Sequence, residues 1–149
     1  MTDGFTAAVA ARVAGLQRAR LPDEVVEVAR QCVLDWLGVT LAGSREPAAA
    51  IALGAIRDDY PGDRGATVVG RQIRFPPLEA SLINGTASHA LDYDDVNPVM
   101  VGHPTAAVLP AVLALGEARH STGGEAVAAF IAGYEAQCRI AAAVGAMSY

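Results

Sequence analysis

The sequence contains no lysine: all 11 of its basic side chains are arginines, set against 16 acidic ones for a net charge of −5. With positive charge so scarce, and no arginine cluster interleaved with aromatics, the chain has nothing to lay along a phosphate backbone, and no nucleic-acid partner is expected. Aromatics make up only 5% of the residues, too few for a typical β-sandwich core. The only cysteines are Cys32 and Cys138. Each sits in a strongly apolar helical pattern, so both read as small buried hydrophobes and neither as part of a disulfide framework or metal site. The N-terminal "MTDGFTAAVAARVAG" has no basic start before its apolar run, and no uninterrupted apolar stretch reaches about 18 residues. No membrane association is therefore expected, and the expected location is cytoplasmic. There is no G-x-G-x-x-G, no Walker loop and no G-x-S-x-G elbow, which removes the common signatures of nucleotide cofactors and serine hydrolases.

What remains is abundant alanine, valine and leucine. In 149 residues that are 52% hydrophobic, one domain spanning 1–149 could bury about two thirds of its unfolded surface. The expected class is all-α, a compact bundle of about six helices. Thr6 or Asp3 can cap a first helix running to about Ala19. "LPDE" starts a second, which places Val25, Ala29, Cys32, Trp36 and Val39 on one stripe too wide for a surface helix and so predicts a central position. A third begins near Pro47, since proline is tolerated in a first turn. "ATVVG" and "IRF" are short β-branched runs that predict one small hairpin near residues 66–75. Helical spacing then resumes through "PPLEASLINGTASHALDY", with Leu78, Leu82, Ala87 and Leu91 close to one stripe and an end near Tyr93. "HPTAAVLPAVLALGEARH" predicts a fifth helix with a kink at Pro110. His120 caps its end, and a last long helix follows "STGG". The final "AMSY" comes soon after that apolar helix with no polar tail, an uneasy end for a self-contained domain.

The residues able to do chemistry are concentrated in "NGTASHALDYDDVN" and the "GHPT" that follows. On a continuous helix His89 and Asp92 lie three apart and share a face, an arrangement that holds an imidazole in one tautomer for acid/base work; a surface ion pair is the plainer reading. His103 falls where a helix begins, beside unpaired N–H groups that favour a neutral ring and attract anions. It could equally cap that helix, as could Thr105. The spacing matches neither H-E-x-x-H nor an EF-hand loop, so no metal is expected.

The ordered set "NGTASHALDYDD", "GHPTAAVLPAVLALGE" and "FIAGYEAQCRI", together with "VLDWLGVTLAGS" upstream, resembles the N-terminal helical domain of the MmgE/PrpD family. The resemblance covers essentially the whole chain, which is expected to lack the second, α/β domain found in the family. It implies part of a cofactor-independent, 2-methylcitrate dehydratase-like lyase or isomerase that moves a proton next to a carboxylate of a small polycarboxylate. In the family's pattern the active-site carboxylate falls on Asp92 and the H-P-T/S histidine on His103, the implied catalytic pair. His89, Tyr93, Asp94, Asp95 and Thr105 are the implied substrate-binding surroundings. Val96 stands where relatives often carry threonine, and Asn97 where they often carry histidine. A homodimer or a complementing C-terminal half is the implied partner. The competing expectation is a non-catalytic helical association module.

Overall fold

The computed structural model describes residues 4–16, 20–60, 62 and 64–145. Among them the chain runs α1 (Phe5–Leu16), α2 (Asp23–Gly43), α3 (Pro47–Arg57), β1 (Ala66–Thr67), β2 (Arg74–Phe75), α4 (Pro77–His89), α5 (Pro104–Arg119) and α6 (Gly123–Val144). The fold is the expected all-α domain with a single antiparallel hairpin pairing Ala66 with Phe75 and Thr67 with Arg74.

Local chemistry sets the helix starts. α3, α4 and α5 each open with proline in the first turn, where its missing N–H leaves no bond unmade and its fixed φ already suits a helix. α2 instead places Asp23 and Glu24 against its positive end. α6 has a reciprocal capping box: Thr122 Oγ1 accepts from Glu125 N, and Glu125 Oε2 accepts from Thr122 N. That bonding also holds the Glu125 carboxyl below its ordinary range. At the end of α5, His120 adopts a left-handed conformation with φ 56°, and its backbone N–H reaches the Glu117 and Gly116 carbonyls. The capping expected of His120 is therefore made by its main chain.

Two apolar clusters form the core. Trp36 of α2 packs with Ala29, Leu109 and Phe130, while Phe75, Val68 and Ala66 of the hairpin pack with Ala80, Ile83 and Ala114. α2 touches α4, α5 and α6, the central place its broad stripe predicts. Buried Asn84 fastens the hairpin to α4: its Oδ1 accepts from Val69 N at 2.9 Å and its Nδ2 donates to Thr67 O at 2.9 Å. The hairpin edge therefore has a partner without a third strand.

Several expectations are corrected. Leu78 and Leu82 are 76% and 59% exposed. The inward face of α4 is Ala80, Ile83, Asn84, Ala87 and Ser88, because smaller side chains let neighbouring backbones approach more closely than leucines would. α4 ends at His89 and not near Tyr93, so His89 and Asp92 do not share a helical face. Thr6 lies within α1 and does not cap it, while Asp3 and Ala19 fall outside the described residues. Cys32 and Cys138 are half-buried, not fully enclosed. α6 is, by length and composition, apolar enough to cross a bilayer, although it packs on α1, α2 and α5.

α2 and α4 approach closely at Gly43, where a Cβ would run into the Ala87 carbonyl oxygen and come within 3.3 Å of Ala90 Cβ. Gly38, one turn earlier on the same helix, has open space around it. Gly43→Ala should cost about 2 kcal/mol or more through overpacking. Gly38→Ala should stabilise the helix by about 0.5–1 kcal/mol. Denaturant unfolding of the two variants measures the difference; equal effects would show that the α2 to α4 contact is not tight.

Candidate active site

α4 and α5 run antiparallel along their length, so the last residue of α4, His89, meets the residue preceding α5, His103. Their ring centroids lie 4.5 Å apart, tilted by 57°. Between them is Asp94, whose side chain is only 1% exposed. His89 Nδ1 lies 2.9 and 3.2 Å from the two Asp94 oxygens, a hydrogen bond when that nitrogen carries the proton and donates. His103 Nδ1 stands 3.3 Å from Asp94 Oδ2, but out of line for a hydrogen bond, and that buried nitrogen has no bonded partner. The other ring nitrogen, Nε2, is 3.4 Å from Asp92 Oδ1. One buried carboxylate thus faces two imidazoles, and one of these imidazoles also faces a second carboxylate that is 76% exposed.

The connection between the helices assigns the three aspartates different places. Asp92 takes φ 54°, a left-handed conformation that Asp tolerates better than most residues, and it turns the chain just beyond α4. Asp94 is directed inward. Asp95 braces the start of α5: its Oδ1 accepts from Thr105 N at 3.2 Å and its Oδ2 accepts from Thr105 Oγ1 at 2.7 Å. His103 holds the N-cap position, but its side chain makes no capping bond; the cap comes from Asp95. Thr105 is 2% exposed and committed to that brace, so Asp95 and Thr105 lie behind the imidazoles instead of lining the open side. Tyr93 points outward, 74% exposed.

Asn97, which the sequence marks only as a departure, organises the rest of the loop. Its backbone N–H donates to Gly102 O and its carbonyl accepts from Val101 N, both at 2.9 Å. Its Oδ1 accepts from Val99 N at 2.8 Å and its Nδ2 donates to Tyr134 Oη at 3.1 Å. These bonds hold Val101 at φ 52°, a strained conformation for a β-branched residue, costing roughly 1–3 kcal/mol. An Asn before Pro is a turn signal; its bond to Tyr134, 37 residues away, is invisible in sequence.

Beneath the site the surroundings are apolar and acidic. Burial, reinforced by Asp95 and Asp35, pushes the Cys32 thiol up, against a hydrogen bond with Thr105 that lowers it. Burial likewise raises Tyr134, with Asp95 contributing and the Asn97 bond opposing. Burial and the neighbouring carboxylates thus disfavour the Cys32 thiolate. A thiol whose folded value lies above its unfolded one contributes stability that is intact below the unfolded value and is lost as pH rises through the folded one. The cluster itself is an open face. The larger cavities, of about 540 Å³ between α3, α4 and α5 and about 530 Å³ between α1, α2 and α6, are lined by none of its four residues.

A helical domain that presents two imidazoles and two carboxylates at the junction of an antiparallel helix pair is equipped for proton transfer. Its sequence agrees with that class: the family profile described as the MmgE/PrpD N-terminal domain matches residues 7–149, and the chain belongs to that family. Relatives include cis-aconitate decarboxylase of Homo sapiens, 34% identical over 94% of this chain, and that of Mus musculus, 32% identical over 94%. Cis-aconitate decarboxylase of Aspergillus terreus is 27% identical over 95% of this chain. The matched segment is 30%, 29% and 30% of these relatives, so the chain spans less than a third of their length.

The brace generates a test. Asp95→Ala leaves the buried Thr105 hydroxyl and N–H without their acceptor and should cost about 1–3 kcal/mol, with the His103 ring resonances shifting in the NMR spectrum. Unchanged stability and unchanged His103 signals would show that Asp95 does not hold the start of α5.

Proposed function

We propose that this domain supplies one wall of the site of a cofactor-independent acid/base lyase for small polycarboxylates. The observation that supports this reading best is the convergence of His103 with exposed Asp92 at 3.4 Å and with buried Asp94 at 3.3 Å, the latter hydrogen-bonded to His89. In decarboxylation a C–CO₂ bond breaks, its electron pair passes into the conjugated acid and a proton is delivered to carbon. In dehydration a proton leaves carbon next to a carboxylate and hydroxide departs with a second proton. Either reaction needs a group that can both hold and release a proton at a fixed place. His103 fills that role, with the charge of Asp94 beside its ring and exposed Asp92 orienting the substrate or sharing the proton. His89 is the second imidazole beside the reacting acid. The names of the relatives favour decarboxylation of a cis-aconitate-type acid over dehydration of 2-methylcitrate.

The charge balance sets the next requirement. A substrate with two or three carboxylates approaching Asp92 and Asp94 is repelled unless cations offset it, and this chain has no lysine. We assign the missing cations to a complementing C-terminal portion, whose approach would also cover the open face. Association is supported independently by exposed leucines and isoleucine: Leu34 at 73%, Ile51 at 73%, Leu78 at 76% and Leu82 at 59%. A dimer joined through these helices fits the same observation, and so does the second reading, a purely associative module. Sedimentation establishes whether the chain self-associates.

The test is reconstitution with the C-terminal portion of a cis-aconitate decarboxylase relative, followed by assay of cis-aconitate decarboxylation and 2-methylcitrate dehydration. His103→Ala, with folding checked by circular dichroism, should lower kcat by about 10²- to 10⁴-fold. Full activity of that variant rules out the assigned role. If no polycarboxylate at millimolar concentration shifts NMR signals in residues 84–105 of the reconstituted protein, the associative module is the better reading.

A further inference from the structure

The His103 ring is held by few bonds of its own. Its Nδ1 has no hydrogen-bond partner, its Nε2 stands 3.4 Å from an exposed carboxylate, and its side chain makes no capping bond to α5. Where the ring sits between Asp92 and Asp94 is therefore decided by the backbone that carries it and by its contact with the His89 ring. We propose that Tyr134 of α6 is a positioning residue for His103, acting through Asn97, a role that rests on the acid/base reading of that ring.

The backbone of His103 is braced from two sides. Downstream, Asp95 fixes Thr105 in the first turn of α5. Upstream, the Gly102 carbonyl, part of the same planar peptide unit as the His103 N–H, accepts from Asn97 N at 2.9 Å. Asn97 also accepts from Val101 N on its carbonyl and from Val99 N on its Oδ1. These bonds close the loop on itself, so they set its shape without setting its place on the domain. The bond that reaches out of the loop is from Asn97 Nδ2 to Tyr134 Oη, at 3.1 Å. Its acceptor is firmly seated: the Tyr134 ring meets Phe130 edge-on at 5.8 Å, and Phe130 is buried with Trp36 and Leu109 in the core. One phenol thus ties the peptide ahead of His103 to the core.

Val101 shows why that tie matters. A β-branched residue at φ 52° is strained, and such strain persists only where the surroundings over-determine the backbone. With the Tyr134 bond broken, relief of the strain at Val101 turns the peptide that carries His103. Small displacements are enough, because proton transfer needs its heavy atoms within about 2.6–3.2 Å of one another.

The experiment compares Tyr134→Phe, which removes one hydroxyl and keeps the ring contact with Phe130, with Val127→Ala, which loosens the same helix at a core position away from the loop bonds. In NMR spectra of the full chain, the His103 ring signals should shift in Tyr134→Phe and stay in place in Val127→Ala. In the reconstituted enzyme Tyr134→Phe should lower kcat on the order of 10- to 100-fold with KM little changed. Adding it to Asn97→Ala should cause no further loss, since both break one link. Wild-type His103 signals and kcat in Tyr134→Phe overturn the proposal, as does the same His103 shift in Val127→Ala or a multiplied loss in the double variant. Full activity of His103→Ala instead overturns the acid/base reading, and with it the catalytic role of Tyr134, whatever the ring signals show.

Discussion

The antiparallel seam between α4 and α5 is the constraint on which the site depends. Small residues line it: a Cβ on Gly85 would touch the Ala106 carbonyl at 3.5 Å and Pro110 Cγ at 3.7 Å, ordinary contact distances that show how near the two helices lie. Pro110 has no N–H to give the Ala106 carbonyl its usual helical bond, and that carbonyl is the one lying against Gly85. On the opposite side of α4, Gly43 of α2 meets the Ala87 backbone. With α4 fixed on both sides, its C-terminus and the start of α5 have one relative position, and His89 and His103 are held in ring contact there.

Electrostatics then divides three adjacent aspartates among three tasks. Alternation of the chain through a left-handed turn sends Asp92 to solvent, Asp94 inward and Asp95 back to the first turn of α5. A buried carboxylate is costly unless paired and hydrogen-bonded, and for Asp94 the hydrogen bond comes from His89, with the His103 ring 3.3 Å away. Membership of the MmgE/PrpD N-terminal domain family agrees with this arrangement, and the curated relatives, more than three times as long, have ample chain outside the matched segment.

Much of this was legible in the sequence. Proline in three first turns, the acidic start of α2, the apolar stripe around Trp36 and the β-branched runs of the hairpin each act within a few residues, so local pattern suffices to predict the elements. Asp92 and His103 were also singled out, the first from its place in an ordered motif and the second from its position ahead of a helix. The partner assigned to His89 was not legible, because helical spacing pointed to Asp92 only if the helix continued, and it stops at His89. Leu78 and Leu82 misled in the same way: hydrophobicity marks them for the core, but close helix packing gives that face to alanine, asparagine and serine.

By itself, then, the sequence determined the all-α class, the helix boundaries set by proline and acidic first turns, and the short stretch in which chemistry could occur. Only the tertiary structure decided which carboxylate meets which imidazole, that Asp95 caps α5 where His103 does not, and that Asn97 reaches Tyr134. The physical reason is range. Propensity, capping and turn chemistry act over three or four residues, whereas the cluster is made by helices that meet because their small-residue faces can approach closely, a condition set by the whole packed core.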